Sequence, residues 1–86
     1  MENTRKNITR FTAEAIAENA YDEFIIADND EHIEVNIVPS ELDMDAILDY
    51  VTHEHGSVDL AQDDIDISFM GVDMKSTTPM TVYWER

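Results

Sequence analysis

Residues 11–74 contain 18 Asp and Glu residues and no Lys or Arg. Three of the five basic residues lie in the first ten positions, and only Lys75 and Arg86 follow the acidic stretch. A body of this kind forms no Lys or Arg ion pairs within itself, and it repels nucleic acid phosphate and anionic membrane surfaces. The charge pattern therefore predicts a cationic partner, with no direct binding to nucleic acid or membrane.

The chain has 86 residues, which is enough for one modest hydrophobic core. Its 43% hydrophobic content predicts a folded domain despite a formal net charge of −15. The absence of Cys excludes disulfides and thiolate sites and favours an intracellular setting. Nowhere does an apolar run approach the roughly 18 residues of a membrane span. We therefore expect a cytoplasmic protein.

The first half of the chain reads as an arm, a helix and a hairpin. Residues 1–10 carry most of the positive charge and predict a flexible basic arm, or a first strand signalled only by Ile8. The single acidic domain then spans residues 11–86. Thr12 is a candidate N-cap for a helix over residues 13–23. Its apolar stripe consists of Ile16, Ala17, Ala20, Tyr21 and Phe24.

Two strands and a second helix follow. Residues 24–27 and 32–38 predict a β-hairpin around the turn residues 28–31. Ser40 is placed to cap a helix that continues to His55, where Gly56 supplies a C-terminal stop. The apolar positions of this helix follow the i, i+3, i+4, i+7 rule and are Met44, Ile47, Leu48 and Val51.

The last third of the sequence predicts a second hairpin. Residues 57–63 look like a loop, residues 64–69 alternate between apolar and polar, and residues 80–85 are rich in strand formers. The predicted order is α-β-β-α-β-β. This order indicates a small α+β domain, with an antiparallel sheet of about four strands and two helices on one of its faces.

Carboxylates recur on the polar sides of both predicted helices and of two predicted strands. Glu14, Glu18 and Asp22 follow one another at i, i+4 on the first helix, where like charges repel by a few tenths of a kcal/mol per pair. Spacings of roughly 5 to 7 Å along helices and strands are comparable to those of phosphates along nucleic acid. The predicted partner-binding residues are Glu14, Glu18, Asp22, Glu34, Glu41, Asp43, Asp45, Asp49, Asp64 and Asp66.

In size and charge, the stretch from Glu14 to Asp73 resembles the small acidic inhibitors of phages and mobile elements that imitate DNA. That class includes anti-restriction proteins and some anti-CRISPR proteins. The resemblance rests on composition and charge placement rather than on a motif. It implies a non-enzymatic inhibitor, in the host cytoplasm if phage-encoded, that blocks a CRISPR effector, a restriction enzyme or another DNA-binding protein.

The acidity of the chain also has alternative causes. Adaptation to high salt produces acidic, Lys-poor surfaces. The rest of the composition, with nine Ile, six Val and five Asn, agrees with high-salt adaptation only in part. A structural or adaptor domain is a further alternative, with acidity for solubility and a contact through Tyr83, Trp84, Met70 and Met74. An open edge strand would also permit a homodimer.

The sequence predicts no metal site and no cofactor. Residues 28–32 and 59–66 cluster oxygen ligands, but the first departs from the calcium loop, with Ile33 at its sixth position and Pro39 where a bidentate Glu belongs. Asp49 and His53 share one helix face, where a solvated histidine is the simpler interpretation.

Catalysis is not predicted either. With only two Gly residues the chain has no phosphate-binding loop, and its Ser and His residues lie in no triad or nucleophile-elbow context.

Overall fold

A computed structural model describes residues 4–86, which form four strands and three α-helices. The elements in chain order are β1 (Thr4–Asn7), α1 (Arg10–Asn19), β2 (Ile25–Asp28), β3 (His32–Ile37), α2 (Met44–His55), α3 (Val58–Ser68) and β4 (Met80–Glu85). Short 3₁₀ turns cover Asp22–Phe24 and Pro39–Glu41. The predicted α+β class is confirmed, whereas the predicted element order is not.

The four strands form one mixed sheet in the order β1-β4-β3-β2. β2 and β3 pair antiparallel as the predicted first hairpin, and β3 and β4 also pair antiparallel. β1 is parallel to β4, with Thr4 opposite Met80. The expectation of an antiparallel sheet is wrong at this edge, because a pairing between the two ends of the described chain leaves no local sequence signal.

The core lies between the sheet and the helices. β3 buries Ile33, Val35 and Ile37 in strict alternation, and Val82 of β4 pairs with Val35 on the same face. Helix α1 packs against β3 and β4, and α2 packs against α1 and α3. Burying each large aliphatic side chain contributes about 1.5 to 3 kcal/mol, so this apolar layer offsets the repulsion among the carboxylates.

Helix α3 replaces the loop and strand predicted for residues 57–69, and the predicted second hairpin is therefore wrong. The Ser57 side chain caps the helix by accepting a hydrogen bond from the Leu60 amide. Ala61, Ile65 and Ser68 are buried at i, i+4, i+7. The same sequence alternates with period two, and packing against α2 selects the helical period.

Of the two alternatives for residues 1–10, an arm or a first strand, the structure has a strand at Thr4–Asn7, and residues 1–3 lie outside the described part of the chain. Ile8 is buried, and its amide donates to the Tyr83 carbonyl at 2.9 Å. The Thr9 amide donates to Ser68 Oγ at 3.0 Å. These bonds to β4 and α3 hold a segment whose own sequence carries little structural signal.

The first helix begins and ends earlier than predicted. It runs from Arg10 to Asn19, and Thr12, the expected cap, is fully buried inside it. At the end of the helix the Asn19 side-chain amide also donates to the Ala15 carbonyl, at 2.9 Å. Tyr21 and Phe24 consequently leave the helical stripe, and both are exposed.

Helix α2 is close to its prediction. Its N-cap is Asp43 rather than Ser40, with the Asp43 carboxylate accepting from the Ala46 amide at 3.1 Å. Ser40 instead lies in a 3₁₀ turn. At the other end Gly56 adopts the left-handed conformation, with a φ of 73°, and its amide donates to the Thr52 carbonyl. Gly56 thus ends α2 as predicted.

Replacing this glycine tests the turn between α2 and α3. Gly56→Ala is expected to lower the free energy of unfolding by about 1 kcal/mol, because a Cβ disfavours positive φ. No atom lies within 4 Å of the added Cβ, so the loss reports backbone strain alone. Urea denaturation measures it, and Gly56→Asn should lose less because Asn tolerates this conformation. Equal stability of all three proteins would contradict the assignment.

Candidate acidic interaction surface

Seven of the ten predicted partner-binding carboxylates are exposed: Glu18, Asp22, Glu41, Asp43, Asp45, Asp49 and Asp66. Within residues 4–86, ion pairs engage only Glu14, Asp28, Glu34 and Asp64 among the acidic residues. None of the exposed seven therefore has a cationic partner in the described chain. We call them the seven unpaired carboxylates.

Helix α2 carries the most regular part of this set. Asp45 and Asp49 are exposed and stand four residues apart, on the side of the helix away from buried Ile47 and Val51. Side chains with this spacing lie about 5 to 6 Å apart at their Cβ atoms. At the start of the helix the exposed carboxylate of Asp43, the N-cap, complements the positive end of the helix dipole. The result is an acidic ridge on α2.

A second acidic group forms where α1 meets α2. Glu14 lies between Arg10, whose Nε donates to it at 2.8 Å, and Tyr50, whose hydroxyl donates at 3.3 Å. Burial first, and then the negative charges of Glu14, Glu54 and Glu18, raise the pKa of Tyr50. The fold thus brings predicted Glu14 and Glu18 together around a phenol.

Glu54 and Tyr50 were missed by sequence reasoning. Their i, i+4 spacing on the predicted second helix was available as a signal. Nothing in the sequence, however, indicated that this part of α2 would pack against α1, which is what brings Glu54 to the α1 carboxylates.

Glu34 stands apart from the helix-borne carboxylates. It alternates with buried Ile33 and Val35, so it lies on the sheet face opposite the helices. His32 Nε2 is 3.4 Å from its carboxylate, and the His32 ring stacks on Tyr83 with centroids 5.1 Å apart. The guanidinium of Arg5 lies 3.6 Å from the centre of the same Tyr83 ring. Glu34 therefore belongs to a local polar cluster.

Asp64 was expected on the polar face of a strand and lies instead on α3, pointing inward. Its side chain is only 10% exposed, and Oδ2 is 2.6 Å from Nε2 of His55 on α2. The other oxygen, Oδ1, is buried without a hydrogen-bond partner among the described residues. Asp66, two residues further, is exposed and accepts from Gln62 at 2.9 Å. A partner-facing role stays a prediction for both, and this geometry favours Asp66.

Three basic side chains lie near the aromatic rings of β4, and two of them, Arg10 and Arg86, also pair with Glu14 and Asp28. Arg10 and Arg86 lie 5.9 and 5.2 Å from the Trp84 ring centre, and Arg5 covers Tyr83. Trp84 itself is partly buried and packs against the core. None of these three arginines pairs with any of the seven unpaired carboxylates.

None of the described helices has the length and apolar content that a bilayer crossing requires. Over residues 4–86, no three His, Asp or Glu side chains come together in an arrangement for a metal ion. Comparison with protein-family models, curated proteins and solved structures found no match for this chain.

The environment of Tyr50 yields a titration test. Glu14→Gln is expected to lower the pKa of Tyr50, because it removes a negative charge that opposes phenolate formation. NMR-detected titration of the Tyr50 ring carbon measures the shift. Glu34→Gln, on the opposite sheet face, is the matched control and should leave Tyr50 unchanged. If neither substitution changes the pKa of Tyr50, the acidic group between α1 and α2 is contradicted.

The contact between His55 and Asp64 yields a stability test. His55→Ala is expected to lower the free energy of unfolding by about 2 kcal/mol, because it leaves a buried carboxylate without a partner. The loss should shrink in an Asp64→Ala background, since no buried charge then remains. Urea denaturation of the four proteins of this double-mutant cycle measures the coupling, and strictly additive losses would contradict it.

Proposed function

We propose that this chain is a non-enzymatic binding protein that inhibits a nucleic-acid-binding protein by occupying its cationic groove. The observation that carries the proposal is the set of seven unpaired carboxylates. An exposed carboxylate without an internal cation keeps its charge available for a partner's Lys or Arg. A CRISPR effector, a restriction enzyme or another DNA-binding protein is the class of target that presents such a groove.

The spacing of the carboxylates supports the same proposal. Asp45 and Asp49 repeat along α2 at about 5 to 6 Å, while Glu18 and Glu54 add charge beside Tyr50. A groove lined with Lys and Arg for phosphates accepts carboxylates at comparable intervals. Asp45 and Asp49 have no ion-pair partner among residues 4–86, whereas beside Tyr50 Arg10 pairs with Glu14.

Inhibition in this proposal is competition for one surface. Long-range attraction steers the acidic face toward the partner's groove, and charge-assisted hydrogen bonds then fix the complex. Salt at physiological ionic strength screens exposed charges beyond about 8 Å. Binding should therefore weaken steeply as salt is added.

A structural or adaptor role is the second candidate function, with the acidity serving solubility or high-salt adaptation. Exposed apolar side chains on and after α3 favour it, namely Leu60, Ile67 and Met70. The contact first expected at Tyr83 and Trp84 has less support, because Arg5 and His32 cover Tyr83 and Trp84 packs against the core.

Charge reversal tests the proposal. The acidic chain is used as bait to capture binding proteins from lysate at low salt. Each captured protein is then assayed for DNA or RNA binding by fluorescence anisotropy in the presence of the acidic chain. A variant carrying Glu41→Lys, Asp45→Lys and Asp49→Lys should lose capture and competition. Asp43 is left in place because it caps α2.

The matched control carries Asp30→Lys, Glu31→Lys and Asp63→Lys, which make the same charge change at exposed positions outside the predicted set. The proposal expects this control to retain most of the competition. A partner that is captured equally by all three proteins at high salt, and whose nucleic acid binding is unaffected, would favour the adaptor role instead.

A further inference from the structure

A groove of about 880 Å³ opens to solvent between the end of α1, the Asp22–Phe24 turn, the end of β3 and the start of α2. Its floor is made of core side chains, Ile16, Ile37 and Ile47. Tyr21 and Phe24 stand at its edge with 75% and 46% of their surfaces exposed and ring centres 6.3 Å apart. The volume falls within the roughly 300 to 1,000 Å³ of ligand sites.

The polar groups of the groove carry one sign of charge. Glu23, Glu41 and Asp43 line it, and no Lys, Arg or His of residues 4–86 does. None of these three carboxylates forms an ion pair with the described residues. The two amide side chains in the lining are already engaged, Asn19 with the Ala15 carbonyl and Asn36 with the Thr81 hydroxyl. All charged groups in the lining are therefore anionic.

This combination specifies the chemistry of an occupant. An apolar floor with an aromatic edge takes large aliphatic or aromatic side chains, and an acidic rim takes Lys or Arg beside them. A segment that presents both together is an amphipathic cationic helix, the type of ligand that lays its apolar face into a groove. A small neutral molecule would find few free hydrogen-bonding groups to orient it.

We infer that this groove binds an amphipathic cationic helix of the protein partner. The inference rests on the proposed function in one respect, that the partner is cationic, and it adds an apolar anchor that charge alone does not provide. Glu41 and Asp43 belong both to the groove and to the seven unpaired carboxylates, so the two surfaces are continuous. Affinity gained through the anchor persists where salt weakens the electrostatic contribution.

The probe for this inference is a labelled helical peptide of Leu and Lys, with Leu at i, i+3, i+4 and i+7. A second peptide replaces each Leu by Ser and keeps the charge. Binding to the full chain is measured by fluorescence anisotropy at low and moderate salt, and the contact is mapped by amide chemical-shift changes. The Leu–Lys peptide should bind at least about tenfold more tightly, the equivalent of about 1.4 kcal/mol.

Two variants locate the contact. Tyr21→Ser with Phe24→Ser should reduce Leu–Lys binding to the level of the Ser–Lys peptide, because the edge of the groove is lost. Leu60→Ser with Ile67→Ser removes a similar exposed apolar area, 54% and 56% exposed, on α3 and should have no effect. All four side chains are exposed, so the fold should tolerate both variants, which circular dichroism verifies.

Each other outcome overturns the inference in a distinguishable way. If both peptides bind equally and neither variant matters, the groove is not used, while charge-based recognition and the proposed function stand. If neither peptide binds, the proposed function loses support as well. If sedimentation shows a dimer that the Tyr21 and Phe24 substitutions dissociate, the groove belongs to a second copy of the chain.

Discussion

The placement of β4 at the centre of the sheet is the interaction on which the rest of the fold depends. β4 joins β1 on one side and β3 on the other, and Val82 packs beside Val35 under α1. Its Tyr83 carbonyl also receives the amide of Ile8, which fixes the start of α1. Because most acidic side chains of the described chain form no ion pair within it, this apolar and backbone-bonded centre is the main source of stability. Charge is then carried on a frame that does not rely on ion pairs.

Features of the fold that depend on local chemistry were predictable from sequence, and those that depend on distant contacts were not. Gly56, the stripe of α2 and the alternation of β3 each carry their own signal and were found in place. Residues 57–69 satisfy a strand period and a helix period together, and packing against α2 decides between them. β1 is defined by its pairing with β4 rather than by its composition, so the sequence of the basic segment alone leaves an arm and a strand as alternatives.

The candidate surface divides in the same way. Burying a charged side chain is costly, so the exposure of seven of the ten predicted carboxylates could be predicted from residue type and position in the sequence. Asp64 points inward toward His55 because of the way α2 and α3 pack. In the same way, the packing of α1 against α2 brings Glu54 close to the α1 carboxylates. The groove beside Tyr21 and Phe24 exists because α1 ends at Asn19, earlier than its apolar stripe indicated. The carboxylates that line this groove connect the acidic ridge of α2 with the apolar floor of the groove.

The pairing of Thr4 with Met80 also orders events during synthesis. The β2–β3 hairpin and the three helices precede β4 in the chain, but β1 has no strand to join until β4 leaves the ribosome. Until then the partly built sheet presents an unoccupied edge at β3, and Ile33, Val35 and Ile37 lack their neighbours from β4. Like charges on such intermediates repel one another, and this repulsion opposes their association while the apolar edge is exposed.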